Sequence, residues 1–294
     1  MKKHLILLTL VLGINTLFFA QGKDQDCAIQ PPHKDHFLLH ALPATIKVGD
    51  NVYVDVTETS IFAWMDYLRW NKRVFGKQSK EYLQDLPDTT VWGNFCLTDF
   101  ATLYFRHPKY EQYPIVGVTA EQASRFLQWK ADRVMEKYLV KSGVIAENSN
   151  PLRIDYFSIE KWLTGKFPTL KKAEDIAYYP VCHLPSLTSF KLALHHNDSI
   201  NKKNPEKMDA GLDPCGKILI EPTKPVQLSN FKSNTSVLNL KGNVSEWSNE
   251  PGIALGGSWN DAKAVVVTQD TFHLKQANAQ TGCRGVWEWK KFTH

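Results

Sequence analysis

The sequence feature that most limits the fold is a pair of glycine turns, each followed within five residues by a tryptophan. The two motifs occupy residues 240–247 (Leu-Lys-Gly-Asn-Val-Ser-Glu-Trp) and 255–259 (Leu-Gly-Gly-Ser-Trp). Gly242 permits a sharp turn before Asn243, and the adjacent glycines of the second motif permit close backbone approach beside the indole rings. These residues predict that the two motifs pack closely together in the core.

The amino terminus predicts export. Two lysines precede an apolar run from Leu5 to Phe19, and Ala20 follows it directly. A basic start and an apolar run of this length are typical of a signal peptide, which we place over residues 1–20, with a membrane anchor as the alternative. Residues 21–45 are polar and contain proline, so we expect a flexible lead-in. No later stretch is apolar enough to predict a transmembrane segment after signal cleavage.

Charge and cysteine content limit the function classes. The formal net charge is +5, and signal cleavage would remove two lysines from it. So small and scattered an excess does not predict binding to nucleic acid. The five cysteines are Cys27, Cys96, Cys182, Cys215 and Cys283. Disulfides are expected in an oxidising compartment, but spacing does not give the pairing, and we prefer only weakly a bond between Cys182 and Cys215.

Local patterns predict a hairpin and two main helices. Residues 46–56 alternate apolar and polar side chains on either side of a Gly-Asp-Asn turn, as two short strands do. A helix is expected after Ser60, because apolar residues then recur at helical spacing. A second is expected after Thr119, which can form a capping box with Gln122. We expect one domain over residues 46–294.

Two polar stretches within that domain are predicted to be surface insertions. The first, near 147–179, is rich in charge and contains prolines and one short amphipathic piece. The second, near 197–212, is dominated by asparagine, lysine and aspartate, which is typical of a mobile loop.

Six short motifs in a fixed order resemble the formylglycine-generating (sulfatase-modifying factor) family and cover roughly Tyr53 to Trp287. They are residues 54–60, 113–123, 183–186, 240–247, 255–259 and 282–284. The resemblance implies an α+β, C-type-lectin-like fold with short strands, two main helices and much irregular structure. The structural positions that it implies are Pro185, Gly242, Trp247, Gly256, Gly257, Ser258, Trp259 and Arg284.

The resemblance also bears on metals. In the family the segment matched by residues 242–247 binds calcium, so Asn243 and Glu246 would supply side-chain oxygens and Val244 a carbonyl, the hard donors that calcium prefers. The alternative is that Asn243 and Glu246 only hold the turn by hydrogen bonds to the backbone. Family enzymes carry two copper-binding cysteines between the last two motifs, whereas residues 260–280 contain none. We therefore expect no copper and no family-type catalysis.

A narrower resemblance concerns the helices. Residues 55–60, which lead to 67–70 and 73–76, and the Trp-Lys-Ala-Asp-Arg-Val stretch at 129–134 resemble the gliding-motility and type IX secretion proteins GldJ and GldK. That branch keeps the fold without the catalytic cysteines, which implies a non-catalytic periplasmic protein at the outer membrane that binds envelope secretion or motility proteins. Two alternatives stay open: an oxidoreductase of formylglycine or nonheme iron type with an unrecognised site, and a carbohydrate- or peptide-binding module that uses exposed tryptophans.

Overall fold

The computed structural model describes Leu42 and residues 44–93, 95, 97–170, 176–200 and 236–292. The predicted signal peptide and nearly all of the lead-in lie outside these residues. The strands are β1 (Thr45–Gly49), β2 (Val52–Asp55), β3 (Tyr178–His183), β4 (Ser245–Trp247), β5 (Ile253–Leu255), β6 (Thr271–His273), β7 (Thr281–Gly282) and β8 (Val286–Lys291). The α-helices are α1 (Ile61–Phe75), α2 (Lys80–Leu83), α3 (Thr98–Leu103), α4 (Ala120–Lys141), α5 (Ile159–Leu163), α6 (Leu187–Ile200) and α7 (Lys263–Thr268).

The strands form two small sheets, and this confirms the predicted α+β class with short strands. The first sheet has the order β1-β2-β8-β3 and is antiparallel throughout. Its β1–β2 hairpin is the one predicted from alternation around the Gly-Asp-Asn turn. The second sheet has the order β6-β5-β4-β7, with β4 and β7 parallel. The chain passes from the second sheet to the first between Gly282 and Val286.

Helices α1 and α4 begin at the predicted caps. The Ser60 hydroxyl accepts the backbone N–H of Ala63. Thr119 and Gln122 form both bonds of the capping box, which fixes the start of the 22-residue α4. Gly143 then leaves α4 at a φ of 65°, a left-handed conformation that favours glycine.

A third long helix, α6, was not predicted among the main ones. It begins after Ser186, where the side chains of Ser186 and Ser189 exchange hydrogen bonds with each other's backbone N–H groups. It runs to Ile200, so the stretch expected to be a loop from 197 begins inside a helix. Asn197 is buried and bonds the backbone of Val237 through both its amide atoms. The rest of that predicted insertion, residues 201–212, lies outside the described residues.

The predicted insertion near 147–179 packs against the core more closely than a surface insertion would. Phe157 and Trp162 are buried, and Trp162 stacks on Phe292 at 5.1 Å between ring centroids. The last two residues of the range already belong to β3. Among the described residues, no helix has the length and apolar character needed to cross a bilayer.

Candidate functional site

Three of the six motifs and helix α4 bring five charged side chains together where the two sheets meet. We call Asp55, Glu58, Lys130, Glu246 and Arg284 the charge cluster. Asp55 ends β2, Glu58 precedes α1, Glu246 lies in β4, and Arg284 lies in the crossing between β7 and β8. All are buried except Lys130, whose side chain is 27% exposed.

Arg284 is the centre of the charge cluster. Its Nε donates to Oε1 of Glu246 at 2.6 Å, and one terminal nitrogen lies 2.6 Å from the same oxygen. That nitrogen also donates to the carbonyl of Leu238 at 2.7 Å, and the other terminal nitrogen donates to the carbonyl of Asp55 at 2.9 Å. Glu58 lies 3.8 Å away. One guanidinium therefore links both sheets to the 236–240 segment.

The two glutamates that face Arg284 carry more negative charge than one guanidinium balances. Oε1 of Glu58 accepts from Asn243 at 2.9 Å, and Oε2 accepts from Asn239 at 3.2 Å. Burial raises the pKa of Glu58 although Arg284 opposes this. Burial, together with the nearby Glu58, raises the pKa of Glu246 to about 7, while Arg284 lowers it. Oε2 of Glu246 is buried and has no hydrogen-bond partner among the described residues.

The second pair of the charge cluster joins α4 to the first sheet. Nζ of Lys130 donates to Oδ2 of Asp55 at 2.7 Å and lies 5.1 Å from the centre of the Trp287 ring. Burial alone would lower the pKa of Lys130, but the Asp55 carboxylate holds it above its usual value. Asp55 also accepts the indole N–H of Trp287 and the backbone N–H of Gly285. A side chain at Gly285 would collide with it, since a Cβ there would lie 2.6 Å from Oδ2.

Three members of the charge cluster are closed off from solvent. Arg284, Glu246 and Glu58 are at most 2% exposed, so solvent and substrates do not reach them in this conformation. Removing Arg284 would leave two buried carboxyl groups without their counter-ion, which is strongly destabilising.

The residues singled out as structural positions are buried around this cluster. Trp247 donates its indole N–H to the carbonyl of Val118, and Trp259 donates to Ala279. Gly256 and Gly257 have φ values of 88° and 72°. The remaining positions are Gly242 with a φ of 82°, Ser258, whose hydroxyl and N–H bond Asp261, and Pro185, whose carbonyl accepts from Asn249.

The residues expected to bind calcium do not fit a cation well. Asn243 turns its amide N–H toward Glu58, and Glu246 directs an oxygen to Arg284. A calcium ion near Glu246 would lie beside a guanidinium, which repels it. Among the described residues there is no group of three or more His, Cys, Asp or Glu side chains able to hold a metal ion. These contacts join side chains, whereas the alternative expected bonds to the backbone of the turn. Calcium binding stays an untested expectation of the sequence.

Neither described thiol has the properties of a reactive cysteine. Cys182 and Cys283 are free and buried. Burial raises the pKa of Cys283 to about 12 and that of Cys182 well above its ordinary value, so both stay protonated at neutral pH. The free thiol at Cys182 does not support the preferred disulfide, whose partner Cys215 lies outside the described residues. The interval that holds the cysteine pair in family enzymes forms α7 and β6 here.

A second group of contacts shows what the charged residues of the Trp-Lys-Ala-Asp-Arg-Val stretch of α4 bind. Asp132 accepts the backbone N–H of Ile159 at 2.8 Å, where α5 begins. Arg133 donates to the carbonyl of Phe157, pairs with Glu136 at 2.8 Å, and lies 4.6 Å from the centre of the Trp70 ring. These residues fasten the 147–170 segment to α4. Sequence analysis marked the stretch and a short amphipathic piece near 147–179, but no local pattern indicated that the two would meet.

Comparison with known proteins adds little to this description. No family model matches the chain, and no curated protein matches it. A solved structure described as the crystal structure of CarF is similar over 81% of this chain and 86% of its own, with 16% sequence identity and a TM-score of 0.41. A likeness this weak carries no inference about function.

Proposed function

We propose that this chain is a non-catalytic, exported interaction protein with a sulfatase-modifying-factor-like fold, which works at the periplasmic side of the outer membrane in type IX secretion or gliding machinery. The resemblance in the ordered motifs and in α4 supplies this proposal. The observation that supports it best is the burial of the motif residues: Glu58, Glu246 and Arg284 face one another inside the core and are at most 2% exposed. Charged side chains buried in this way stabilise the fold.

The surface that we assign to partner binding is the exposed part of the 147–170 segment. Leu152 and Ile154 are 50% and 88% exposed, although each is a large apolar side chain. The two residues are separated by one position in the sequence, and apolar side chains exposed to this degree are available to a protein partner. Arg153, between them, pairs with Glu81 and lies 5.1 Å from the centre of the Phe75 ring, which keeps this loop in place.

Capture of partners from the native envelope tests the proposal. We expect the tagged full-length protein to retain secretion or motility components, and Ile154→Asp to reduce their recovery at least about tenfold, since a buried charge at an interface costs several kcal/mol. Val267→Asp is the matched control, because Val267 on α7 is also apolar and 56% exposed. Equal recovery with both variants would contradict the assigned surface, and no envelope component in the wild-type capture would contradict the function.

The carbohydrate- or peptide-binding alternative depends on exposed tryptophans. All nine tryptophans lie in the described residues; seven are buried, and Trp70 and Trp129 are partly buried. Both of the latter pack edge-on or tilted against other rings. The alternative therefore lacks the open rings that it requires.

A further inference from the structure

The polar groups around Arg284 resemble a cation site already filled by a side chain. Three separate parts of the chain direct oxygens at the guanidinium: Oε1 of Glu246, the carbonyl of Asp55 and the carbonyl of Leu238. Oε2 of Glu58 lies further out at 3.8 Å. Carboxylates and carbonyls are the donor types that also suit calcium, so the same oxygens cannot serve both cations at once.

The position of Arg284 in the chain explains how a side chain can supply the cation at the junction of the two sheets. Gly282 pairs with Glu246 in the second sheet, and Val286 pairs with Val54 in the first. Arg284 is the middle residue of the crossing, with its side chain 1% exposed. Backbone bonds from Asp55 to Gly285 and from Thr59 to Cys283 hold the crossing on both sides.

We propose that the Arg284 guanidinium is the permanent counter-ion of the 242–247 motif, and that this motif binds no divalent metal in this chain. The core then folds without calcium, and its stability does not vary with the calcium concentration of the compartment. This inference is independent of the proposed function, because an enzyme or a binding protein could equally carry an internal counter-ion.

The first test measures thermal unfolding of the wild-type full chain after treatment with a chelator. A ligand that binds only the folded state raises the melting temperature in a saturable way. We expect CaCl₂ at about 5 mM to shift the melting temperature no more than MgCl₂ at the same concentration. A saturable, calcium-specific rise, or calcium retained at one ion per chain by elemental analysis, would overturn the proposal.

The second test removes the guanidinium. Arg284→Ala leaves Glu246 and Glu58 without their counter-ion, so we expect a marked loss of stability that guanidinium chloride at about 10 mM partly restores, with methylammonium chloride as the control salt. The double variant Arg284→Ala with Glu246→Gln should be more stable than the single one, because it removes one of the unbalanced charges. A single variant as stable as wild type would contradict the proposal.

A variant that keeps the positive charge tests the proposal even if Arg284→Ala does not fold. Arg284→Lys retains a cation but offers fewer and less rigid donors, so it should fold with reduced stability and still show no calcium response. The contradicting result has two parts: Arg284→Ala or Arg284→Lys folds only with calcium, and calcium also raises the melting temperature of the wild type. The metal, and not Arg284, would then be the natural counter-ion.

Discussion

At the scale of single residues, buried titratable groups set how the free energy of unfolding depends on pH, and Asp132 is a clear case. Burial raises its pKa to about 6, and Glu136 and Glu160 act in the same direction. The backbone N–H of Ile159 and the guanidinium of Arg133 oppose the shift. The balance leaves a carboxyl that keeps its proton in the folded protein at mildly acidic pH.

We expect the stability contributed by Asp132 to fall as the pH rises from about 4 to about 6. In that window the folded protein holds a proton that the unfolded chain, with a pKa near 3.8, has released, so folding is favoured most at the acidic end. The loss is on the order of 3 kcal/mol.

Urea unfolding of Asp132→Asn checks this prediction, because asparagine keeps an oxygen for Ile159 but does not titrate. The variant should gain stability relative to wild type as the pH rises and reach a constant difference above about pH 7. A difference that is the same at all pH values would mean that Asp132 does not titrate in this range.

The glycine of the second turn motif gives a second prediction at this scale. Gly257 has a φ of 72°, and a Cβ there would lie 2.9 Å from Cγ2 of Val266 and 3.0 Å from the Phe272 ring. Gly143 has a similar φ of 65° with no atom within 4 Å of the same position. Gly257→Val should therefore lose several kcal/mol more stability than Gly143→Val, which is subject only to backbone strain. Equal melting temperatures for the two variants would contradict the packing around Gly257.

At the scale of secondary-structure elements, the sequence is informative where local hydrogen bonds fix an element. The hairpin, the start of α1 at Ser60 and the capping box of α4 were predicted because each depends on residues at most a few positions apart. Helix α6 was missed as a main helix. Its start is fixed by two serines that cap each other, and its last turn is held by Asn197 bonding Val237, a contact 40 residues along the chain.

The attachment of the 147–170 segment to α4 gives a prediction at this scale. Arg133→Gln removes the charge that bonds Phe157, pairs with Glu136 and lies over Trp70, so the segment should detach more often. We expect faster amide hydrogen exchange in residues 152–163, with little change in the β-sheets. Lys137→Gln is the control, since Lys137 lies on the same helix but is exposed. Similar exchange in both variants would show that Arg133 is not the attachment.

At the scale of the whole molecule, the charge cluster depends on contacts that no local pattern contains. The bond between Glu58 and Asn243 joins residues 185 positions apart, and that between Arg284 and Asp55 joins residues 229 apart. The motifs marked most of these residues as important, but their meeting at the junction of two sheets follows only from the complete packing. Lys130 was quoted as part of a motif with no indication that it would pair with Asp55.

The central proposal is that the chain is a non-catalytic scaffold without oxidase chemistry. Metal analysis of the purified full-length protein, combined with oxygen uptake in the presence of a thiol peptide, tests it most directly. The proposal predicts copper and iron well below about one tenth of an ion per chain and no uptake above the peptide alone. Residues 260–280 lack the cysteine pair that would bind copper, and the described residues contain no group of three or more His, Cys, Asp or Glu side chains able to hold iron. One copper or iron ion per chain together with peptide-dependent oxygen uptake would contradict the proposal.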